Sequence, residues 1–233
     1  MKKGMFYAVG VGPGDPEDMT LKAKRILESA DVVVIPVKQP GESSSAYAIA
    51  EQAADMSQAE KMEVVFPMKR GADYRSYLRS GALDSVYKAL DDGKKVAMVT
   101  LGDVSVYSTA TYVRQMVALK GYETTVVAGI PSFCAGAAKT QYSLCENEES
   151  LLVLPGVGSQ KSIEQALEQF DNLVIMKAGR ALEWLLPLLQ QRGLLEHTVM
   201  LCNVGMPDEY IGKPKAEYRS YFTTLLIKKG GLR

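Results

Sequence analysis

Val9-Gly10-Val11-Gly12-Pro13-Gly14-Asp15-Pro16 is a glycine- and proline-rich turn between two contrasting segments. The apolar stretch Met5 to Val11 reads as a buried strand. After the turn, Thr20-Leu21-Lys22-Ala23-Lys24-Arg25-Ile26-Leu27 has apolar residues at Leu21, Ala23, Ile26 and Leu27 and reads as a helix. A strand entering a helix through such a turn is where an α/β protein receives a ligand, and glycine lets the backbone approach that ligand without a side chain in the way. The familiar phosphate-binding patterns fail on spacing. A dinucleotide turn needs a glycine where Asp15 stands, and a phosphate-cradling loop needs one where Gln160 stands in Gly156 to Ser162. The carboxylate of Asp15 would also repel phosphate.

With 233 residues, the chain is long enough for one large domain or two small ones. A content of 47% hydrophobic and 23% charged residues is that of an ordinary soluble globular protein. Lys+Arg and Asp+Glu balance at 27 each, which gives no support to a general nucleic-acid or membrane-surface role. No apolar run approaches the ~20 residues of a membrane span, and Pro13 and Asp15 interrupt the stretch after Lys2 and Lys3, against a signal peptide. Cys134, Cys145 and Cys202 lie far apart without metal-ligand spacing, and His197 is the only histidine. That pattern predicts a reducing, cytoplasmic setting and no protein-bound metal.

The first half alternates strand and helix signals. Ala30 to Pro36, Met62 to Pro67, Lys95 to Leu101 and Glu123 to Ala128 read as strands. Ser44 to Met56, Tyr74 to Leu90 and a segment from the Gly102-Asp103 turn to Leu119 read as helices. Such alternation predicts a mainly parallel sheet covered on both faces. Beyond Gly129-Ile130-Pro131, a small-residue helix (Ser132 to Lys139) precedes strands at Leu151–Leu154, Leu173–Met176, Thr198–Val204 and Thr223–Lys228, with a helix from Arg180 to Gln191. Fewer helices per strand predict a mixed sheet. The expected domains are therefore 1–128 and 129–233.

Three further segments stand beside the opening turn: Thr100-Leu101-Gly102-Asp103-Val104-Ser105-Val106-Tyr107-Ser108-Thr109, the run Ala128-Gly129-Ile130-Pro131-Ser132-Phe133-Cys134-Ala135-Gly136-Ala137-Ala138, and Cys202-Asn203-Val204-Gly205-Met206-Pro207-Asp208-Glu209. Together they resemble the class III S-adenosylmethionine-dependent tetrapyrrole methyltransferases. Tyr107-Ser108-Thr109, Pro131-Ser132-Phe133 and Tyr221-Phe222-Thr223-Thr224 most resemble the branch that methylates C-20 of precorrin-2 or cobalt-factor II in cobalamin synthesis. The resemblance covers Phe6 to Lys228, with Asp18 and Ala128 departing from the usual pattern.

The resemblance implies a two-domain tetrapyrrole methylase fold, with the cofactor in a cleft between an N-terminal tetrapyrrole-facing domain and a C-terminal domain that completes the site, and commonly a homodimer. It places Pro13 against S-adenosylmethionine, the backbone of Leu101, Gly102, Asp103 and Val106 on its amino-acid portion, and Ser132 and Phe133 beside it. Met176 (with Lys177 as the alternative) and Val204, Gly205 and Met206 border the adenosine. Pro36 stands where the related uroporphyrinogen methyltransferases carry an aspartate, so that aspartate's role does not transfer.

A sulfonium methyl donor brings its own electrophile and leaving group, so the protein mainly has to bring the acceptor carbon into line. That suits a chain without a nucleophilic triad or ligand cluster. Asp103, Tyr107 and Tyr112 are the candidates for assisting loss of the meso proton. Lys38, Lys69, Arg70, Arg75, Arg79 and Arg180 are candidate partners for the carboxylates around the macrocycle. Each has a plainer reading too: Asp103 as a helix cap, the Lys69–Arg79 charges as a solvated helix face, and Ala135 to Ala138 as close helix packing.

Overall fold

The computed structural model describes residues 3–66, 74–156 and 158–231. The chain divides into two compact units, Met1–Pro131 and Ser132–Arg233. The first unit contains strands β1 (Met5–Gly10), β2 (Val32–Val37), β3 (Glu60–Val65), β4 (Lys95–Thr100) and β5 (Glu123–Val127). Its helices are α1 (Leu21–Glu28), α2 (Ser45–Ala53), α3 (Tyr74–Tyr77), α4 (Asp84–Asp91) and α5 (Ala110–Leu119). The strands form one parallel sheet in the order β3-β2-β4-β1-β5.

That order explains the two cores of this unit. The chain moves one way along the sheet from β1 to β3 and back the other way through β4 to β5. Right-handed crossovers therefore put α1 and α2 on one face and α4 and α5 on the other. Val9, Val33, Ile35 and Val99 pack with Ala23, Leu27, Ile49 and Ala50 on the first face. Phe6, Val32, Val34 and Met98 pack with Val86, Leu90, Val113 and Val117 on the second. Burial on both faces is why these strands read as nearly continuous apolar runs. Each such side chain contributes about 1.5–3 kcal/mol on burial.

Polar groups fix where the helices begin. The Thr20 hydroxyl accepts from the Ala23 N–H at 3.2 Å, capping α1, and donates to the Ala128 carbonyl at 3.2 Å. One side chain thus starts a helix and ties it to the exit of β5. Two sequence expectations need correction here. The single helix over Tyr74 to Leu90 is broken: a π-turn at Leu78–Ala82 contains Gly81 at φ +100°, which glycine alone tolerates cheaply. The helix after Gly102-Asp103 begins only at Ala110, because residues 103–109 form a braced loop.

The second unit contains α6 (Ser132–Thr140), β6 (Leu151–Pro155), α7 (Gln160–Gln169), β7 (Asn172–Met176), α8 (Leu182–Gln191), β8 (Thr198–Cys202), β9 (Tyr210–Gly212) and β10 (Thr223–Lys228). Its sheet runs β6-β7-β10-β8-β9, with β6 and β7 parallel and the remaining pairs antiparallel, a mixed sheet as the sequence predicts. Helix α7 and strand β9 were not expected. The helix is largely polar, with only Ile163, Ala166 and Leu167 buried, and Ser159 caps it by accepting from the Ser162 N–H at 3.2 Å.

In α8, Leu182, Leu185, Leu188 and Leu189 face the core, with Trp184 partly buried against it. Lys228 is a buried cation, paired with Glu146 at 2.8 Å and donating to the Ser143 carbonyl at 3.2 Å. A cation so placed is stable only when paired. Its hydrogen bond to Glu146 outweighs desolvation and raises its pKa. Of the three cysteines only Cys202 is buried, whereas Cys145 is exposed. No helix among the described residues is long and apolar enough to cross a membrane.

Candidate functional site

In the first unit the carboxyl ends of β1, β4 and β5, neighbours at the middle and edge of the sheet, meet through glycines. The chains leaving β1 and β4 join by a small bridge: the Gly102 N–H donates to the Gly12 carbonyl at 2.7 Å, and the Gly12 N–H donates to the Gly102 carbonyl at 3.3 Å. A β-carbon on Gly10 would lie 2.7 Å from the Gly102 carbonyl oxygen, and one on Gly129 would lie 2.2 Å from the same atom. Gly10 and Gly129 are therefore required for backbone to approach backbone.

Gly102 differs from these two. It sits at φ +69°, but a β-carbon there would find no protein atom closer than 3.9 Å. The nearest atoms, the Ile130 carbonyl oxygen and the Pro131 α-carbon, would be in ordinary contact with it, so the positive φ rather than crowding favours glycine here. Both main-chain polar groups of Gly102 already bond Gly12, so Gly102 shapes the site and offers it no free hydrogen bond. The Val106 N–H donates to the Asp103 carbonyl at 3.3 Å. Pro13 is buried on the adjoining turn, and Leu101 is half-buried.

Asp103 is held from several directions. One carboxylate oxygen accepts from the Ser105 N–H at 2.8 Å and from the Ser105 hydroxyl. The other accepts from the Gly129 N–H at 2.8 Å, joining the β4 exit to the β5 exit. Partial burial works to raise its pKa, but these bonds, with the Val104 N–H, win and hold it below the usual aspartate value. A carboxylate so stabilised is a weak base and a strong pin. The rest of the loop is braced by Thr100 to Ser108 at 2.7 Å and by the Thr111 hydroxyl donating to the Val104 carbonyl at 2.8 Å.

Tyr107 lies in this loop at φ +50°, a left-handed conformation unusual for a bulky residue. Burial raises its phenol pKa, so the hydroxyl stays protonated near neutrality. Tyr107 is 44% exposed and Tyr112, on α5, is 36% exposed, so both present part of their surface outward. Lys38, just after β2, is exposed and lies 3.4 Å from Glu42. Lys69 and Arg70 lie outside the described residues, as do the side chains of Arg75 and Arg79.

In the second unit β10 runs opposite to both β7 and β8, so the carboxyl ends of β6, β7 and β8 share one edge with the start of β10. That edge carries Met176, Lys177, Val204, Gly205 and Met206. Lys177 is left-handed at φ +57° and Gly205 at φ +75°. The Gly205 N–H donates to the Glu209 carboxylate, and the same carboxylate oxygen pairs with Lys139 of α6 at 2.7 Å. Ser132 and buried Phe133 begin α6, whose Gly136 lets Leu201 of β8 pack closely: a β-carbon there would lie 2.3 Å from a Leu201 methyl. Arg180, itself exposed, ends an otherwise buried 3₁₀ turn, Ala178–Arg180, following Lys177.

The structure thus gathers Pro13, Leu101, Gly102, Asp103, Val106 and Tyr107 at one end of the first sheet. It gathers Met176, Lys177, Val204, Gly205 and Met206 at one end of the second. Sequence reasoning missed Ser105 and Glu209, whose partners are set by the folded turns. Among the described residues, no group of three or more His, Cys, Asp or Glu is placed to hold a metal ion.

The Tetrapyrrole (Corrin/Porphyrin) Methylases profile matches residues 5–217. A Methanocaldococcus jannaschii protein named as a probable cobalt-precorrin-2 C(20)-methyltransferase is 33% identical over 227 residues, covering 96% of this chain and 95% of its own length. The Salmonella typhimurium cobalt-precorrin-2 C(20)-methyltransferase is 31% identical over 231 residues, covering 97% of each chain. Among solved structures, Thermus thermophilus uroporphyrin-III C-methyltransferase, complexed with S-adenosylhomocysteine, superposes with a TM-score of 0.66 at 21% identity, covering 97% of this chain and 98% of its own. With glycine-lined strand ends of the kind its opening turn implied and relatives matched from end to end, this chain belongs to the tetrapyrrole (corrin/porphyrin) methylases.

Proposed function

We propose that this protein transfers the methyl group of S-adenosylmethionine to C-20 of precorrin-2 or its cobalt-containing counterpart, a step of cobalamin biosynthesis. The observation that carries the reading is the match, at 33% and 31% identity and nearly full length on both sides, to two proteins named for that reaction. When bound, the cofactor supplies an electrophilic methyl on a sulfonium leaving group. The protein's part is to hold donor and acceptor in line.

In this reading the turn at Gly102 and Asp103 receives the amino-acid portion of the cofactor beside Pro13, Leu101 and Val106. Ser132, Phe133, Met176, Val204, Gly205 and Met206 line the remainder. Asp103 keeps the β4 loop in shape, its depressed pKa and four neighbouring donors making it a positioning residue. Tyr107, protonated near neutrality, is suited to donate a hydrogen bond, with Tyr112 near it in sequence. Lys38 and Arg180, with the cations between Lys69 and Arg79, would pair with ring carboxylates. The first unit would face the tetrapyrrole and the second would complete the cofactor site. Any cobalt belongs to the substrate. Unpaired cysteines suit a cytoplasmic enzyme, and a homodimer is the assembly the family resemblance implies.

The test is regiochemical. Incubation with methyl-labelled S-adenosylmethionine and cobalt-sirohydrochlorin, followed by NMR of the product, should place the label at C-20. Label at another ring carbon would assign a sister reaction. Binding without transfer would make the protein a non-catalytic tetrapyrrole-binding module.

A further inference from the structure

Tyr221 and Phe222 are large hydrophobic residues that the second unit leaves in the open, 50% and 38% exposed, directly before the central strand β10. Their rings meet edge to face, 5.3 Å between centroids. The segment carrying them is held on both sides. The Ser220 hydroxyl donates to the Asn203 side-chain carbonyl at 2.7 Å and accepts from the Phe222 N–H at 3.1 Å. Gly179 lets the chain lie close, since a β-carbon there would stand 2.3 Å from the Ser220 carbonyl. Lys177 brings its ammonium 5.5 Å from the centre of the Tyr221 ring, and exposed Arg180 follows three residues later. The Tyr221 ring, braced by the edge-to-face Phe222 ring and with the Lys177 ammonium over it, therefore stands at the end of the sheet where β7 and β8 deliver their carboxyl termini.

We propose that Tyr221 and Phe222, with Lys177, form a platform that receives the tetrapyrrole ring. The occupant follows from chemistry. A flat macrocycle gains from stacking on an ordered aromatic surface, and its peripheral carboxylates are complementary to the ammonium beside that surface. A patch that bound an apolar protein partner would not need a cation over its principal ring. Lys177 itself has a left-handed backbone, at φ +57°. This inference rests on the methyltransferase reading for the identity of the ring.

The experiment compares Tyr221→Ala, Tyr221→Phe, Phe222→Ala and Lys177→Gln in the full-length protein. Binding of cobalt-sirohydrochlorin is followed by its visible absorbance and binding of S-adenosylhomocysteine by calorimetry. Tyr221→Ala should weaken tetrapyrrole binding about tenfold, the scale of one lost aromatic stacking contact. Tyr221→Phe should restore it to within about twofold, because the stacking face is kept. Lys177→Gln should weaken it about fivefold at low salt, with the difference shrinking as salt rises. Binding of S-adenosylhomocysteine should stay within about twofold in the Tyr221 and Phe222 variants. Loss of S-adenosylhomocysteine affinity with tetrapyrrole binding intact would assign the platform to the adenine and overturn the proposal, as would unchanged binding of both ligands. The wild-type product separates the two levels: label away from C-20 refutes the assigned reaction, whereas the variants' ring affinities judge the platform.

Discussion

The two units hold their ligand-end turns by different means. In the first, backbone meets backbone: Gly10, Gly102 and Gly129 come so close that no β-carbon fits at Gly10 or Gly129, and Asp103 fastens the arrangement. In the second, side chains share that task with backbone approaches at Gly156 and Gly179. Glu209 holds Gly205, Ser220 holds Asn203, and Leu201 fills the space at Gly136. Backbone contacts cannot relax without moving strands, whereas a side chain can adopt another rotamer. The strand ends of the first unit are therefore hard to move, whereas the side-chain contacts of the second can change at smaller cost.

Gly129→Ala tests this contrast most severely. The new methyl would meet the Gly102 carbonyl at 2.2 Å and the Gly10 backbone at 2.8 Å. Overpacking of this kind should cost about 3 kcal/mol, read as a lowered unfolding midpoint in denaturant. A variant as stable as wild type would mean that the strand ends separate freely, and the contrast would fail.

Asp103→Asn comes next. An amide cannot accept from Ser105 and Gly129 together, and the donor left unpaired should cost about 1–3 kcal/mol. Because the folded pKa is lowered, the wild-type carboxylate contributes stability that is fully present above the unfolded aspartate value of about 4. That contribution is lost as pH falls through the folded value. The Asn variant should lack this acid-side loss, so the stability gap between the two proteins should narrow on acidification. Kinetically, a positioning role predicts a raised KM for S-adenosylmethionine with kcat largely kept. A collapse of kcat at unchanged KM would restore Asp103 as a base.

Gly136→Ala should have the smallest effect. Its methyl meets only the end of the Leu201 side chain, 2.3 Å away before relaxation, and alanine is the better helix former by about 1 kcal/mol. The net loss should be about 1 kcal/mol or less, measured by the same denaturant titration. A penalty equal to that of Gly129→Ala would show that both units are equally rigid.

The parallel half was legible because strands buried on both faces carry unbroken apolar runs, as in Val32 to Ile35 and Val96 to Val99. Helix α7 was missed because just three of its side chains are buried, leaving little apolar periodicity to read. The break at Gly81 was missed because an apolar pattern continues through it from Leu78 to Leu83 and Val86. At the site, residue types were readable but their purposes were only partly so. Glycines in the opening turn suggested close approach by a ligand. Gly10, in that turn, instead makes room for Gly129, more than a hundred positions away. Asp103 looked like a cap, yet α5 begins seven residues later and the carboxylate reaches instead to the next strand's exit. Pairings between distant turns leave no mark in local spacing.

The strand order of the second sheet also bears on how the chain is made. β10 lies at its centre, flanked by β7 and β8, yet it is the last strand in the sequence. The first five strands can assemble as soon as β5 leaves the ribosome. The pairs β6–β7 and β8–β9 must wait, their inner edges unpaired, until residues 223–228 emerge between them. Open edges of this kind invite mispairing with other chains, and the emergence of β10 is what closes them.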